Sequence, residues 1–398
     1  MTFSHEARFH STKLRNIVEF SITAVCMLAF VFTALFFCVS EITGKTSGTR
    51  DYVVYWATGQ QFAHHANPYD RDALVRMERS AGFPNENPAL FMRNPPWALP
   101  LTLPLAFVSS RVGSSLWSLL LIACLVGSVR LLWIMHGRPK NLRHLVGYSF
   151  APALVCVIIG QTSVFGLFGL VLFLYWHLTH PFLAGASLWL CALKPHLFLP
   201  FGVVLLAWIV VSRSYTLLAG ATAALGLSLA VTRSIDPAAW SQYAEMVHTS
   251  GMNQDFIPCL SFLLRHWISP NSTWIEFVPS GLGCVWALLH FWRRRNGWDW
   301  MRDGSLLMLV SILVAPYSWL FDQALAIPAI LQAAYSTQSR NWLFALALAS
   351  ALIEIAFLSD AWSHSALYFW TLWTAPAWVA WYLAAGRVVY KRPLAEPG

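Results

Sequence analysis

Residues 112–135 read VGSSLWSLLLIACLVGSVRLLWIM, and their only charge is Arg130. A run of that length and polarity matches the ~20 residues needed to cross a hydrocarbon core of roughly 30 Å. It lacks the alternation of a strand, and in lipid a helix satisfies its own backbone, so it reads as a membrane helix. Similar blocks recur on both sides of it, from about 17–40 to 365–386. Twelve spans are expected, within a range of about 11–13. Pro95–Val108 is apolar but broken by prolines, which points to a re-entrant or interfacial segment. Composition agrees. The 398 residues are 57% hydrophobic and 11% charged, with mean hydropathy +0.54, whereas soluble domains average roughly a quarter charged residues. The fold class expected is all-α, a polytopic transmembrane helical bundle forming a single integral membrane domain over residues 1–398.

The N-terminus resembles a signal peptide in carrying Arg8, Lys13 and Arg15 before an apolar run. That run is too long for an h-region and has no small-x-small cleavage site, so it reads as the first retained span. Of the 7 Cys, only Cys259 falls in an expected loop, so no disulfide framework is expected. The 21 Trp suit a protein with two membrane–water interfaces.

With both termini cytoplasmic, sixteen of the 26 Lys and Arg fall on the inner side, against five of the 18 Asp and Glu. That is the usual inner excess of positive charge, so the net +8 calls for no nucleic-acid partner. Two long loops, 41–111 and 233–273, then lie outside and form one polar face. The inner side has no β/α alternation and no GxGxxG, which argues against a cytoplasmic nucleotide-sugar site.

The first outer loop contains DYVVYWATGQQF, residues 51–62, and then Asn67-Pro68-Tyr69-Asp70. Tyr52, Tyr55, Trp56, Gly59 and Phe62 recur at helical spacing, as in a helix lying in the interface plane with its aromatic face toward lipid. Asp51 opens that helix. Its bland reading is a helix N-cap; its chemical reading is a general base for a hydroxyl nucleophile.

D-Y-x-x-Y-x-A-x-G followed by N-P-Y-D resembles the first-loop signature of glycosyltransferase family 87, a branch of the GT-C superfamily. Further matches follow in family order. They are Asn94-Pro95-Pro96 with Pro100 and Pro104, Gly160-Gln161, Leu193-Lys194-Pro195-His196, Asn253-Gln254 with Arg265, and Pro316-Tyr317-Ser318-Trp319 with Asp322. The resemblance covers roughly residues 50–330. It implies a GT-C-type membrane hexosyltransferase similar to polyprenol-phosphate-mannose-dependent mannosyltransferases, with Asp51 as the catalytic base. One departure stands out. Where a mannosyltransferase of this family has a histidine, in the region of Pro316–Gln323, this chain offers Asp322, which puts acceptor and donor sugar in doubt. Asp322 would share the base role or hold sugar hydroxyls; its bland reading is a solvated helix cap.

Lys194, at an outer helix boundary, is the expected ligand of the donor phosphate, with Arg93 and Arg265 as further candidates. The alternative for Lys194 is snorkelling toward headgroups. Gln161, Asn253, Gln254, Tyr55 and His196 are the expected sugar and acceptor partners. His64-His65 is no HExxH, and Asp70-x-Asp72 holds a basic residue between its acids. No metal and no other cofactor is therefore expected.

The expected activity moves a hexose, mannose by the resemblance, from a polyprenyl-phosphate donor to a lipid or glycan acceptor. It would take place on the extracytoplasmic side of the cell membrane. Partners would be that donor, that acceptor and membrane lipids. The rivals are a secondary transporter and a non-catalytic membrane scaffold.

Overall fold

The computed structural model describes residues 21–29, 31, 33, 35, 51–83, 90–249, 256–363 and 368–387. Within them every regular element is a helix and none is a strand. Five helices are long and apolar enough to cross a membrane: Ser110–Met135, Pro195–Ser212, Tyr215–Ile235, Thr273–Gly297 and Arg340–Ser359. The protein is a multi-pass membrane protein.

Among the described residues, the other apolar runs form shorter helices than expected. Pro181–Cys191 has 11 residues, which rise roughly 16 Å against a hydrocarbon core of roughly 30 Å. The apolar run 303–318 stops as a helix at Leu313, and the next run, 323–337, begins as tight turns over Leu320–Ala326. Prolines account for much of this. Pro152, Pro181, Pro195, Pro200 and Pro328 all sit in the first turn of a helix. There the missing N–H is no loss and the fixed φ is already helical. The segment expected to be proline-broken is a chain of three short turns, Pro96–Ala98, Leu99–Thr102 and Leu103–Phe107.

Ser110–Met135 packs on Ser163–Trp176, which packs on Pro181–Cys191, which in turn packs on Tyr215–Ile235. The last pair is nearly backbone to backbone. A Cβ on Gly185 would lie 1.9 Å from the Leu217 carbonyl oxygen, and one on Gly220 the same distance from that of Phe182. Small residues permit this approach, and lipid-embedded helices attract one another largely by such packing. Just past the 21–29 helix, the Thr33 hydroxyl donates to Glu354 on the Arg340–Ser363 helix, 321 positions away.

Leu116, Leu119, Leu120 and Ile122 are exposed on Ser110–Met135, as expected of a surface turned to lipid. The first-loop helix behaves otherwise. Tyr52, Tyr55 and Phe62 are buried, and Trp56 and Gln60 hydrogen-bond the carbonyls of Val108 and Ala106. The aromatic face expected to rest in lipid is thus turned into the protein, because Trp117 and the 103–108 turns supply a closer partner.

Candidate active site

The first outer loop folds as a helical hairpin, Tyr52–Ala63 followed by Arg71–Ser80. Asp51 stands at its start with helical angles (φ −59°, ψ −19°), and its carboxylate makes no capping hydrogen bond. It is half-buried, and Oδ2 accepts from Gln161 Nε2 at 2.7 Å.

Gln161 is aimed there by Gly160. That glycine ends the helix Ala151–Ile159 at φ +79°, in the left-handed region. A Cβ on it would fall 2.6 Å from Tyr52 Cβ. Glycine is required both for the turn and for the approach. Trp117 Nε1 holds the Gly160 carbonyl at 2.8 Å while its ring stacks on Tyr55. Gln161 Oε1 accepts from the Tyr55 hydroxyl at 3.0 Å and from Lys194 Nζ at 3.1 Å. Two donors on one side and an acceptor on the other fix which way the amide faces. Burial pushes the Tyr55 phenol up, so it stays protonated and donates.

Lys194 sits between the helix ending at Cys191 and the turn Pro195–Phe198. Its neighbours are held by the Asn94-Pro95-Pro96 segment. Asn94 Nδ2 donates to the Leu193 carbonyl at 2.8 Å and Trp97 Nε1 to that of Ala192 at 2.7 Å. Nζ then reaches Ser163 Oγ at 3.1 Å and Asp322 Oδ1 at 2.7 Å, and lies 4.6 Å from the Phe321 ring centroid. Asp322 is only 1% exposed, against 14% for Lys194. Its Oδ1 takes both the lysine and the Ser163 hydroxyl, and its Oδ2 takes the Trp319 backbone N–H at 2.9 Å. The cap is real, but it is buried and ion-paired rather than solvated.

Five of the expected residues therefore form one hydrogen-bonded chain: Asp51, Tyr55, Gln161, Lys194 and Asp322. His196 lies beside it, stacked on Tyr317 with centroids 3.7 Å apart. Arg93 is near enough to act electrostatically on the Tyr317 phenol, which burial pushes up. Arg265 is buried, pairs with Glu276 at 3.1 Å, and does not join the chain. Asn253 and Gln254 lie outside the described residues.

Sequence reasoning missed Ser163, Trp117 and Glu78. Ser163 follows Gly160-Gln161-Thr162 directly, but its partner Asp322 is 159 residues further on, and nothing local marks the pairing. Glu78 closes the hairpin at the same end as Asp51 and is fully buried. Its Oε2 accepts from Leu90 N at 3.3 Å, while Oε1 has no hydrogen-bond partner among the described residues. Burial pushes this carboxyl up to about 7, and the charge of Asp51 pushes the same way, against the Leu90 N–H and Arg79.

A family model, that of glycosyltransferase family 87, matches residues 91–316. Searches of curated proteins and of solved structures returned no match. The matched stretch holds Arg93, Gln161, Ser163, Lys194, His196 and Arg265. Asp51 and Tyr55 precede it and Asp322 follows it, and all three join it through hydrogen bonds to Gln161 and Lys194.

Proposed function

The chain belongs to glycosyltransferase family 87, and from that premise we propose that it transfers a hexose, mannose, from a polyprenyl-phosphate donor to a hydroxyl of a lipid or glycan. The reaction takes place at the outer leaflet, with both termini cytoplasmic and the 41–111 and 233–273 loops on the catalytic face. The observation that carries the reading is the hydrogen-bonded chain from Asp51 through Gln161 and Lys194 to Asp322. It sets a half-buried carboxylate and a cation on either side of one amide.

Asp51 takes the proton of the acceptor hydroxyl as that oxygen attacks the anomeric carbon. The bond from that carbon to the phosphate oxygen breaks on the opposite face, so the sugar inverts in a single displacement and polyprenyl phosphate leaves. Gln161 orients the base, and the Tyr55 hydroxyl orients Gln161. Asp322 has a donor on each oxygen and is shut from solvent, so it positions Lys194 instead of taking a substrate proton. Lys194 shares its charge with Asp322, and Arg93 supplies a second cation for the phosphate leaving group. Arg265 would first have to leave Glu276. His196 and Tyr317 offer a stacked surface for the sugar, with Asn253 and Gln254 as hydroxyl partners. No nucleotide or metal takes part.

The test is direct. The purified chain in lipid nanodiscs is given polyprenyl-phosphate mannose labelled in the sugar, with membrane lipid extract as acceptor. Label moving into a new lipid or glycan, with release of polyprenyl phosphate, supports the proposal. Label that crosses a sealed proteoliposome unchanged would support the transporter reading instead.

A further inference from the structure

The helix Phe277–Arg294 starts beside Glu276 and Arg265 and has 18 residues, so it rises roughly 27 Å. The chain turns over 295–302 and returns along Asp303–Leu313 to Pro316 and Tyr317, beside His196. The Asp303–Leu313 helix, roughly 16 Å long, thus separates the turn from the candidate active site.

The outer face of this helix is an apolar stripe. Leu282, Val285, Trp286, Leu289 and Trp292 follow one another at helical spacing and are all exposed. The stripe runs directly into Arg293, Arg294 and Arg295, and Arg302 joins them from the start of the return helix. Asp303, 2% exposed, holds Arg294 and Arg302 at 3.2 Å each. Arg293 and Arg295 have no carboxylate partner among the described residues. Arg295 donates to the Trp292 carbonyl at 3.1 Å and lies 4.3 Å from that ring's centroid. Among the described residues three further polar atoms are buried here without a hydrogen-bond partner, Trp298 Nε1, Trp300 Nε1 and His290 Nε2. The histidine nitrogen stands 3.9 Å from Asp303, too far for a hydrogen bond.

The indole N–H groups of Trp298 and Trp300 therefore meet no acceptor among the described residues, although Asp299 and Asp303 stand in or beside the turn. An indole N–H can only donate, and burying it unpaired is costly. The need for loops of one charge on one side of the membrane explains the arginines. It does not explain their ordering by a buried aspartate, nor the unmet Trp298 N–H. We propose that the turn Trp292–Arg302 binds the phosphate headgroup of an anionic phospholipid whose acyl chains lie along the Leu282–Trp292 stripe. The stripe is the reason for choosing a lipid over a free anion, since a soluble phosphate gains nothing from an apolar track ending at the cations. The site is separate from sugar transfer and stands or falls without it.

Native mass spectrometry of the full chain, purified in detergent, tests this. Phosphatidylglycerol and phosphatidylcholine of identical acyl chains are titrated in separate arms, and a third arm adds millimolar inorganic phosphate. Wild type should hold phosphatidylglycerol about tenfold more tightly than phosphatidylcholine, in line with the pull of a few basic residues on anionic lipid. The double substitution R293Q/R295Q leaves the Asp303 pairs intact and should remove most of that preference. Trp298→Phe keeps the ring, drops the N–H, and should weaken phosphatidylglycerol binding severalfold. Equal retention of the two lipids by wild type overturns the proposal. So does unchanged phosphatidylglycerol binding in R293Q/R295Q and Trp298→Phe together, or full displacement of the lipid by inorganic phosphate.

Discussion

Tyr52–Ala63 and Arg71–Ser80 are the two helices of one hairpin, and each begins at an aspartate. Asp70 has an extended backbone (ψ 109°), and its carboxylate accepts from Ala73 N at 3.1 Å. Asp51 is already helical, makes no such bond, and turns to Gln161. An aspartate at a helix start usually caps it, worth about 1 kcal/mol. When one of two neighbours forgoes that bond for a residue 110 positions away, the local rule has yielded to another demand. That demand is what sets the Asp51 end of the hairpin apart.

The largest effect expected tests this difference at its root. Asp51→Asn keeps the size of the side chain and leaves no cap to lose, so folding should be unchanged. Removing a general base should lower turnover by about 10²–10⁴-fold. Initial rates in nanodiscs, beside the melting temperature of the same preparation, measure both. A near wild-type rate would return Asp51 to the company of Asp70.

Lys194 follows, and here the structure changes what a substitution means. From sequence, Lys194→Ala should weaken donor binding and spare the fold. With Asp322 buried and paired to it at 2.7 Å, removing the lysine strands a carboxylate, which costs about 3–5 kcal/mol of stability. The double variant Lys194→Met/Asp322→Asn should recover much of that stability and still fail to bind donor. Denaturation midpoints and donor Michaelis constants separate the two losses. A Lys194→Ala protein as stable as wild type would mean that the pair does not hold the site together.

Glu78 is a third carboxyl of the same hairpin, buried inside it. Its folded pKa of about 7 lies above the ordinary 4.5. Burial therefore costs nothing while the carboxyl is protonated in both states, below about pH 4.5. Stability falls as pH rises from there through 7 and is level above it. A shift of this size is worth about 3 kcal/mol over that window. Unfolding followed from pH 4 to pH 8 should show the slope in wild type and much less of it in Glu78→Gln. Equal slopes in the two would place the titrating group elsewhere.

How much of this was legible follows from where the causes lie. The helices were readable because crossing lipid demands long apolar runs, and Val112–Met135 needs no other residue to explain it. Helix starts at Pro181 and Pro195 were equally local. The motifs named Asp51, Gln161 and Lys194 separately. That Gln161 bridges the other two depends on Gly160 touching Tyr52, a contact no spacing reveals. The lipid-facing role expected for Tyr52, Tyr55 and Phe62 failed for a related reason. An aromatic stripe at helical spacing says that a face is buried, and only the fold says whether lipid or Trp117 buries it. Ser163 and Glu78 were silent because a lone serine or glutamate takes its meaning from its partner.

The smallest effect is the control that gives the first its meaning. Asp70→Ala removes a true cap from the second helix while leaving the Asn67 side chain to hold the turn through Tyr69 N at 2.9 Å. It should cost about 1 kcal/mol of stability. Asp70 is exposed, whereas Asp51 faces Gln161. Turnover should therefore stay within about twofold of wild type, since an exposed capping residue away from the site changes little beyond local stability. Measured side by side, Asp51→Asn should lose rate without stability and Asp70→Ala stability without rate. If Asp70→Ala instead lowered turnover as far as Asp51→Asn does, the hairpin would have to be intact as a whole for transfer. The loss at Asp51 could then be structural, and the assignment of the base would pass to a carboxylate outside the hairpin.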